Sequence, residues 1–454
     1  MGSNSLWYQT GKENFPRLDD KMKTDVLIVG GGITGLSAAY YLTKAGVKTV
    51  VLEASEIGRG VTGHTTAHVT SQHGVIYQYY LKRFGKDKTR QIVEANESAI
   101  SEMEKIAAEE KIDCDFMRVD SAMYTNDPLQ VRKIETENAT AVSLGIDAEF
   151  MRDGNFALPY KAATVYKNQA QFQPLKYLYG LASALKKKGC CIFEQSRVLH
   201  IEGNKAVTQE GIVTAENIVI ATHFPIINFP GWYFARAYQD RSYVMAFQNA
   251  PAVSGLWNSI DGDALTYRMY ENLLIISGIN HRCGTQKKTD HYGKLKNQVI
   301  ADFPKAMPVF QWSAQDPITL DELPYIGKYS RDSKRLYVAT GYRKWGMTQS
   351  NVAGRILADE IMGVKNPYAK IYSPQRPATP LAVFNCFVWN TVTTADLLSG
   401  FLRFGPPLCA HMKCRLRWNP DENSWDCPCH GSRFEENGSV INQPAIHDLK
   451  RRAE

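Results

Sequence analysis

One run constrains this chain more than any other: Asp25-Val-Leu-Ile-Val-Gly-Gly-Gly-Ile-Thr-Gly-Leu-Ser-Ala-Ala-Tyr40, closed off by Glu53. Residues 25–29 are apolar and rich in β-branched side chains, which predicts a buried parallel strand. Gly30, Gly32 and Gly35 follow at G-x-G-x-x-G spacing, and residues 36–45 continue as a helical pattern that stops at Gly46. Gly30 permits the tight turn, Gly32 lets backbone approach a pyrophosphate, and Gly35 lets the helix pack on the strand. The helix start, with Thr34 in its first turn, offers free N–H groups and partial positive charge to phosphates. A second strand, residues 47–52, leads to Glu53 and Ala54. The Glu53 carboxylate is placed to accept ribose hydroxyls. Strand, glycines, helix, strand and acid in this order predict a dinucleotide-binding unit of the α/β class.

The chain is long enough for several domains, at 454 residues, and its composition is that of an ordinary globular protein. The best apolar run, residues 381–392, is interrupted by Asn385 and Asn390 and falls short of the ~20 residues a bilayer span needs. Residues 1–20 are polar and lack the apolar core of a signal peptide, and Leu6 breaks the myristoylation pattern. The expectation is a cytoplasmic protein with no membrane span. The net charge of +7 is spread thinly, with no basic stripe interleaved with aromatics, so nucleic acid is not an expected partner. Of nine cysteines, Cys114, Cys190, Cys191, Cys283 and Cys386 are scattered and read as small hydrophobes. The other four crowd near the C-terminus, a pattern that points to metal or redox chemistry.

After Glu53 the chain runs through Arg59 into Gly-Val-Thr-Gly-His64-Thr65-Thr66-Ala-His68, a loop on the ligand side of the sheet. Here the sequence resembles the D-amino-acid oxidase family of flavoproteins, with glycine oxidase, sarcosine oxidase and dimethylglycine dehydrogenase among its members. The resemblance implies FAD as cofactor and a Thr-rich loop beside the flavin ring. It places His64 where some relatives carry a covalently attached histidine, although non-covalent FAD is the expectation here; His68 and His73 have lesser claims. It further implies that Val198 meets the adenine side through its backbone and that Thr222 ends near FAD. The turn before residues 336–340 and the stretch Gly341-Tyr-Arg-Lys344-Trp345-Gly346-Met347-Thr348 complete the cofactor motifs. Lys344 to Thr348 are placed at the isoalloxazine, at the start of a helix spanning about 349–362. Alternating strands within residues 232–312 suggest an antiparallel substrate layer, with Tyr267, Arg268 and Tyr270 as candidates for substrate contact. The plain alternative for each is an ordinary strand residue. Lys344 is a third catalytic candidate after Tyr267 and Arg268, and no general base is evident.

Beyond a proline-rich stretch lies Cys409-Ala-His411, then Cys427-Pro-Cys-His430. Two Cys-and-His pairs suit either tetrahedral zinc or a Rieske cluster, in which two Cys bind one iron and two His the other. Cys-x-His followed by Cys-x-x-His resembles the Rieske pattern, whereas zinc fingers pair Cys with Cys and His with His. The resemblance implies a [2Fe-2S] centre and a disulfide between Cys414 and Cys429. Where the bc-type proteins have tyrosine this chain has Phe434, so Ser432 remains as hydroxyl donor and a lower potential is expected. The segment before Cys409 is short, which suggests trimmed leading strands and a flavin domain that covers one side of the cluster.

The expected organisation is a lead-in at 1–23 and an FAD-binding domain at 24–231 with a helical insertion at about 85–150. A substrate domain at 232–312, the rest of the FAD-binding domain at 313–365, a linker at 366–380 and an all-β Rieske domain at 381–454 follow. The fold class is α/β: a Rossmann-like FAD domain with an inserted antiparallel sheet, plus the small β domain. The function implied is oxidation of an amine or amino acid next to nitrogen, with electrons leaving singly through the Rieske centre to an external carrier protein. Only one dinucleotide fingerprint exists, so no NAD(P)H site is expected. A reductase fed through the cluster, or a relay without a small substrate, are the alternatives.

Overall fold

The computed structural model describes residues 5–285, 290–401 and 407–450. The glycine-rich run folds as the sequence requires: strand Lys21–Val29, helix Ile33–Lys44 and strand Thr49–Leu52. The first strand lies between Ile212–Ile220 and Thr49–Leu52, parallel to both. Leu336–Thr340 extends the parallel sheet on one side and Cys191–Phe193 on the other. Val26, Leu27 and Ile28 are fully buried, as a strand covered on both faces demands. One face is packed by the helices Ile33–Lys44 and Gly346–Ile361, which approach closely because Gly354 lies on Ser37 and Ala38, where a Cβ would stand 2.7 Å from the Ser37 side chain.

The second sheet has nine strands among the described residues and is not confined to residues 232–312. Ala237–Gln248 pairs with Leu273–Arg282 on one side and with Met307–Thr319 on the other, so the sheet crosses the expected boundary at 312. Met117–Thr125, Ala148–Asn155 and Pro159–Gln171 join it through Leu256–Ser259. The 85–150 segment is therefore not purely helical. Its helices Lys86–Glu109 and Val131–Ser143 alternate with strands of the substrate layer. Met117–Thr125 passes from exposed to wholly buried and Ala148–Asn155 stays largely exposed, so neither shows the regular alternation that marks a half-buried strand in a sequence.

The lead-in is not a free arm. Trp7 is fully buried and its indole donates to the Thr65 carbonyl at 2.7 Å, bracing the loop after Glu53. The expected linker at 366–380 is packed as well: Tyr372 is buried, and Arg376 makes a buried ion pair with Asp321 at 2.6 Å.

Residues 381–454 are not all β, for they begin with a helix, Pro380–Phe401. Its segment Pro380–Leu398 is long and apolar enough to cross a membrane, the length that residues 381–392 alone did not reach. The two asparagines that interrupt the apolar run fasten the helix to the protein. Asn385 donates to the Leu320 carbonyl at 2.8 Å and Asn390 to the Ala235 carbonyl at 3.0 Å. The opposite face exposes Val383, Phe384, Phe387, Val388 and Val392. Four short antiparallel strands, from Arg417–Asn419 to Val440–Asn442, then form the C-terminal sheet.

Candidate functional site: two adjoining cavities beside a cysteine and histidine cluster

A cavity opens where the parallel strands end. Gly30, Gly32, Thr34, Glu53, Ala54, Val198 and Thr222 line it, together with Gly346 and Met347. Gly30 takes a φ of +117°, and a Cβ there would lie 2.5 Å from the Ala221 carbonyl oxygen. A Cβ on Gly35 would lie 1.9 Å from the Gly30 oxygen, so Gly35 serves helix-on-strand packing and does not reach the cavity. A Cβ on Gly32 would meet only Thr62 Oγ1 at 3.2 Å, which leaves this backbone open towards the cavity. The Glu53 carboxylate accepts from the backbone N–H groups of Gly31 at 2.7 Å and Ser55 at 2.9 Å. Burial raises its pKa, while those two N–H bonds act against the rise.

A second cavity adjoins the first, and the two share Val61, Asp316, Gly346 and Met347. His64, Thr65, Thr66, Lys344 and Trp345 line it. Arg343 and Lys344 both hold left-handed φ values, +52° and +70°, just before the helix Gly346–Ile361 begins. Two strained non-glycine residues in succession mark a backbone held in place by its surroundings. The helix start behind them presents partial positive charge to this junction. Lys344 pairs with Asp240 at 2.5 Å and Arg343 with Glu322 at 3.1 Å.

Several expected site residues lie elsewhere. Tyr267 is buried in the substrate-layer core and packs edge-on against Phe156. Arg268 is fully buried and donates to the carbonyls of Thr66 at 2.8 Å and Ala67 at 2.9 Å. It braces the flavin loop from behind and touches neither cavity, so both catalytic candidates from this strand are corrected. Arg59 is turned to solvent, where it pairs with Glu56. Gly341 packs against Thr319 and Thr348 donates to the Thr70 carbonyl, so each supports the loop without lining a cavity. Sequence reasoning missed Asp316, a strand residue that lines both cavities. Burial raises the Asp316 pKa, with the nearby His223 and Lys344 opposing.

The four cluster-ligand candidates sit on two loops. Cys409 accepts at its carbonyl from Lys413 N–H at 3.0 Å, and Cys427 in the same way from Gly431 at 3.0 Å. The Cys414–Cys429 disulfide joins the loops. The His411 and His430 rings stand 5.0 Å apart at 87°. His411 Nδ1 and both ring nitrogens of His430 are buried with no hydrogen-bond partner. Orphaned imidazole nitrogens beside two buried thiols are what a metal cluster requires, because buried polar atoms otherwise find partners. Burial, the leading cause for each, lowers both histidine pKa values, His411 to about 4, and so favours the neutral ligand form. These residues therefore fit a [2Fe-2S] centre with Cys409 and Cys427 on one iron and the histidines on the other.

The sequence of this chain matches the profile of FAD dependent oxidoreductases, the DAO family, over residues 25–360, and that of the Rieske [2Fe-2S] domain over residues 387–452. The chain belongs to the FAD-dependent oxidoreductase family. It carries a Rieske domain in addition, and its cofactors are FAD and a Rieske cluster. It is 35% identical over 97% of its length to 96% of the Bacillus subtilis (strain 168) protein YhfW, which is named for a Rieske 2Fe-2S iron–sulfur centre. It is 25% identical to the gamma-glutamylputrescine oxidoreductase of Escherichia coli (strain K12), over 77% of this chain and 85% of that one. Among solved structures, glycine oxidase from Geobacillus kaustophilus superposes with a TM-score of 0.68 at 20% identity, over 78% of this chain and 99% of that one. In this FAD-dependent oxidoreductase Gly30, Gly32 and Glu53 of the glycine motif lie at the first cavity, and His64, Thr65, Thr66, Lys344 and Trp345 at the second.

The second sheet and its flanking turn touch the cluster loops directly. Gln239 donates its side-chain amide to the His430 carbonyl at 2.8 Å. Gly284 approaches the second cluster loop so closely that a Cβ would stand 2.5 Å from Pro428 N.

Proposed function

We propose that this protein is a dehydrogenase that oxidises an amine or amino-acid-like substrate at the carbon next to nitrogen, its electrons leaving singly through the Rieske domain to an external carrier protein. FAD supplies a two-electron acceptor and the cluster a one-electron carrier. Gly30, Gly32, Thr34, Glu53, Ala54, Val198 and Thr222 hold the dinucleotide, and His64 to Thr66 with Lys344 to Met347 border the flavin ring. Cys409, His411, Cys427 and His430 hold the cluster.

One observation carries the reading. Gln315 donates to the Gly431 carbonyl of the cluster loop at 2.7 Å, and the next residue, Asp316, lines both cavities. The Gln315 side chain and one peptide unit thus span from the cluster loop to the cavity wall, the proximity a relay needs. The second cavity supports an amine as substrate. Its cations Lys344 and Arg343 are each matched by an acid, and Asp316, which among the described residues has only His223 at 3.9 Å as an ion-pair partner, is the carboxyl we assign to an incoming amino group.

The test is anaerobic mixing of the doubly loaded protein with a panel of amines and amino acids, followed by absorbance and electron-spin resonance. A substrate should bleach the flavin and then bring up the cluster's spin signal. A flavin that no amine reduces, yet that a low-potential donor reduces through the cluster, would overturn the proposal in favour of a reductase.

A further inference from the structure

The first cavity is not closed by the flavin domain alone. Asn442, at the end of the last strand of the Rieske domain, and Gln443 and Ile446 just beyond it form part of its wall together with Gly32, Glu53 and Val198. The family profile ends at residue 360, so this wall is an addition to the common flavin site. It is also tied to the cluster. Gln239 donates both to the His430 carbonyl at 2.8 Å and to the Gln443 carbonyl at 3.3 Å. The Ala445 N–H donates to Ser432 Oγ at 3.1 Å, and Ala445 is buried. The segment lining the cavity therefore shares Gln239 with the loop bearing His430 and is bonded to that loop directly through Ser432.

We propose that residues 442–446 are part of the FAD-binding site, so that the flavin is gripped between the two domains and its retention depends on the Rieske domain. This rests on the assignment of FAD to the first cavity. Ile446 supplies apolar contact with the cofactor, and Asn442 and Gln443 supply amide groups to a ligand rich in acceptors and donors. Withdrawing that wall opens the cavity to water and speeds release.

The test uses the full-length protein loaded with cluster and FAD, diluted, with released FAD read by its fluorescence. Cluster content is read by spin resonance in the same samples. Ile446→Asp should raise the FAD dissociation constant by about tenfold or more, and Ile446→Ala by about threefold, with the spin signal intact. Ile441→Asp, at an exposed position of the strand Val440–Asn442 that does not line the cavity, should leave it unchanged. Wild-type retention in cluster-loaded Ile446→Ala overturns the proposal, whether or not Ile446→Asp keeps its cluster. Gly32→Val separates this from the underlying assignment. If Gly32→Val loses FAD while the Ile446 variants hold it, only the wall is refuted; if Gly32→Val also holds FAD, the cavity assignment itself fails.

Discussion

Arg241 of the substrate layer and Asp426 of the Rieske domain form an ion pair of 2.8 Å in which both side chains are fully buried. A pair of this kind is costly to break from one side, because the remaining charge keeps its desolvation cost without its partner. Arg241→Met should therefore weaken the docking of the two domains by about 3 kcal/mol. A lower first transition in calorimetry, and proteolysis between the domains, are the expected signs.

The same pair sets a pH limit. Burial pushes the Asp426 carboxyl up, but Arg241 and Arg433 outweigh it and hold the group below its usual range. Its contribution is complete above about pH 4, the value for an unfolded Asp, and is lost as the pH falls through the lower native value. Acidification below about pH 4 should loosen the wild-type interface, whereas Asp426→Asn should show no dependence on this group in that window.

Two glycines should separate folding from cofactor binding. Gly35→Ala drives a Cβ against the Gly30 carbonyl and should cost about 1–3 kcal/mol of stability in thermal unfolding of the flavin-free protein. A Cβ at Gly32 meets only the movable Thr62 hydroxyl, so Gly32→Val should melt close to the wild type, yet fail to retain FAD. A flavin-free Gly35→Ala protein as stable as the wild type would contradict the packing account.

Cys427→Ser should lose the cluster, since an alcohol is a poor ligand for a soft iron–sulfur site. With FAD added to saturation, substrate should still bleach the flavin once, and steady-state turnover with the natural acceptor should collapse. Normal turnover by an iron-free variant would remove the cluster from the electron path.

Phe434 is fully buried against the cluster-loop cysteines. Phe434→Tyr offers a hydroxyl to that surrounding and should raise the cluster's midpoint potential in a spin-resonance redox titration. An unchanged potential would mean that the hydroxyl does not reach sulfur.

What was legible in the sequence was local. The glycine motif and the Cys-x-His and Cys-x-x-His pairs declare their chemistry within a few residues of chain, and FAD and a Rieske cluster followed from them. What was not legible depended on facing and docking. The strand Thr266–Tyr270 illustrates this: Thr266 lines the second cavity, its neighbour Tyr267 is buried in the core of the sheet, and Arg268 donates to the Thr66 and Ala67 carbonyls of the loop after Glu53. Alternation shows that neighbours diverge but not which of them meets the ligand. Asp316 and Ile446 carry no motif, because their roles arise only when distant segments close on one cavity.

The wall formed by residues 442–446 also bears on how the protein is assembled. All other residues bordering the first cavity precede it in the chain, the last of them being Ser350. Synthesis runs from the N-terminus, and domains fold in that order. A nascent flavin domain therefore stands open-sided while the Rieske domain is still being made, and FAD has its widest entrance then. Later docking of a cluster-bearing domain acts as a latch, so the order in which the two cofactors arrive would affect how much protein ends up carrying both.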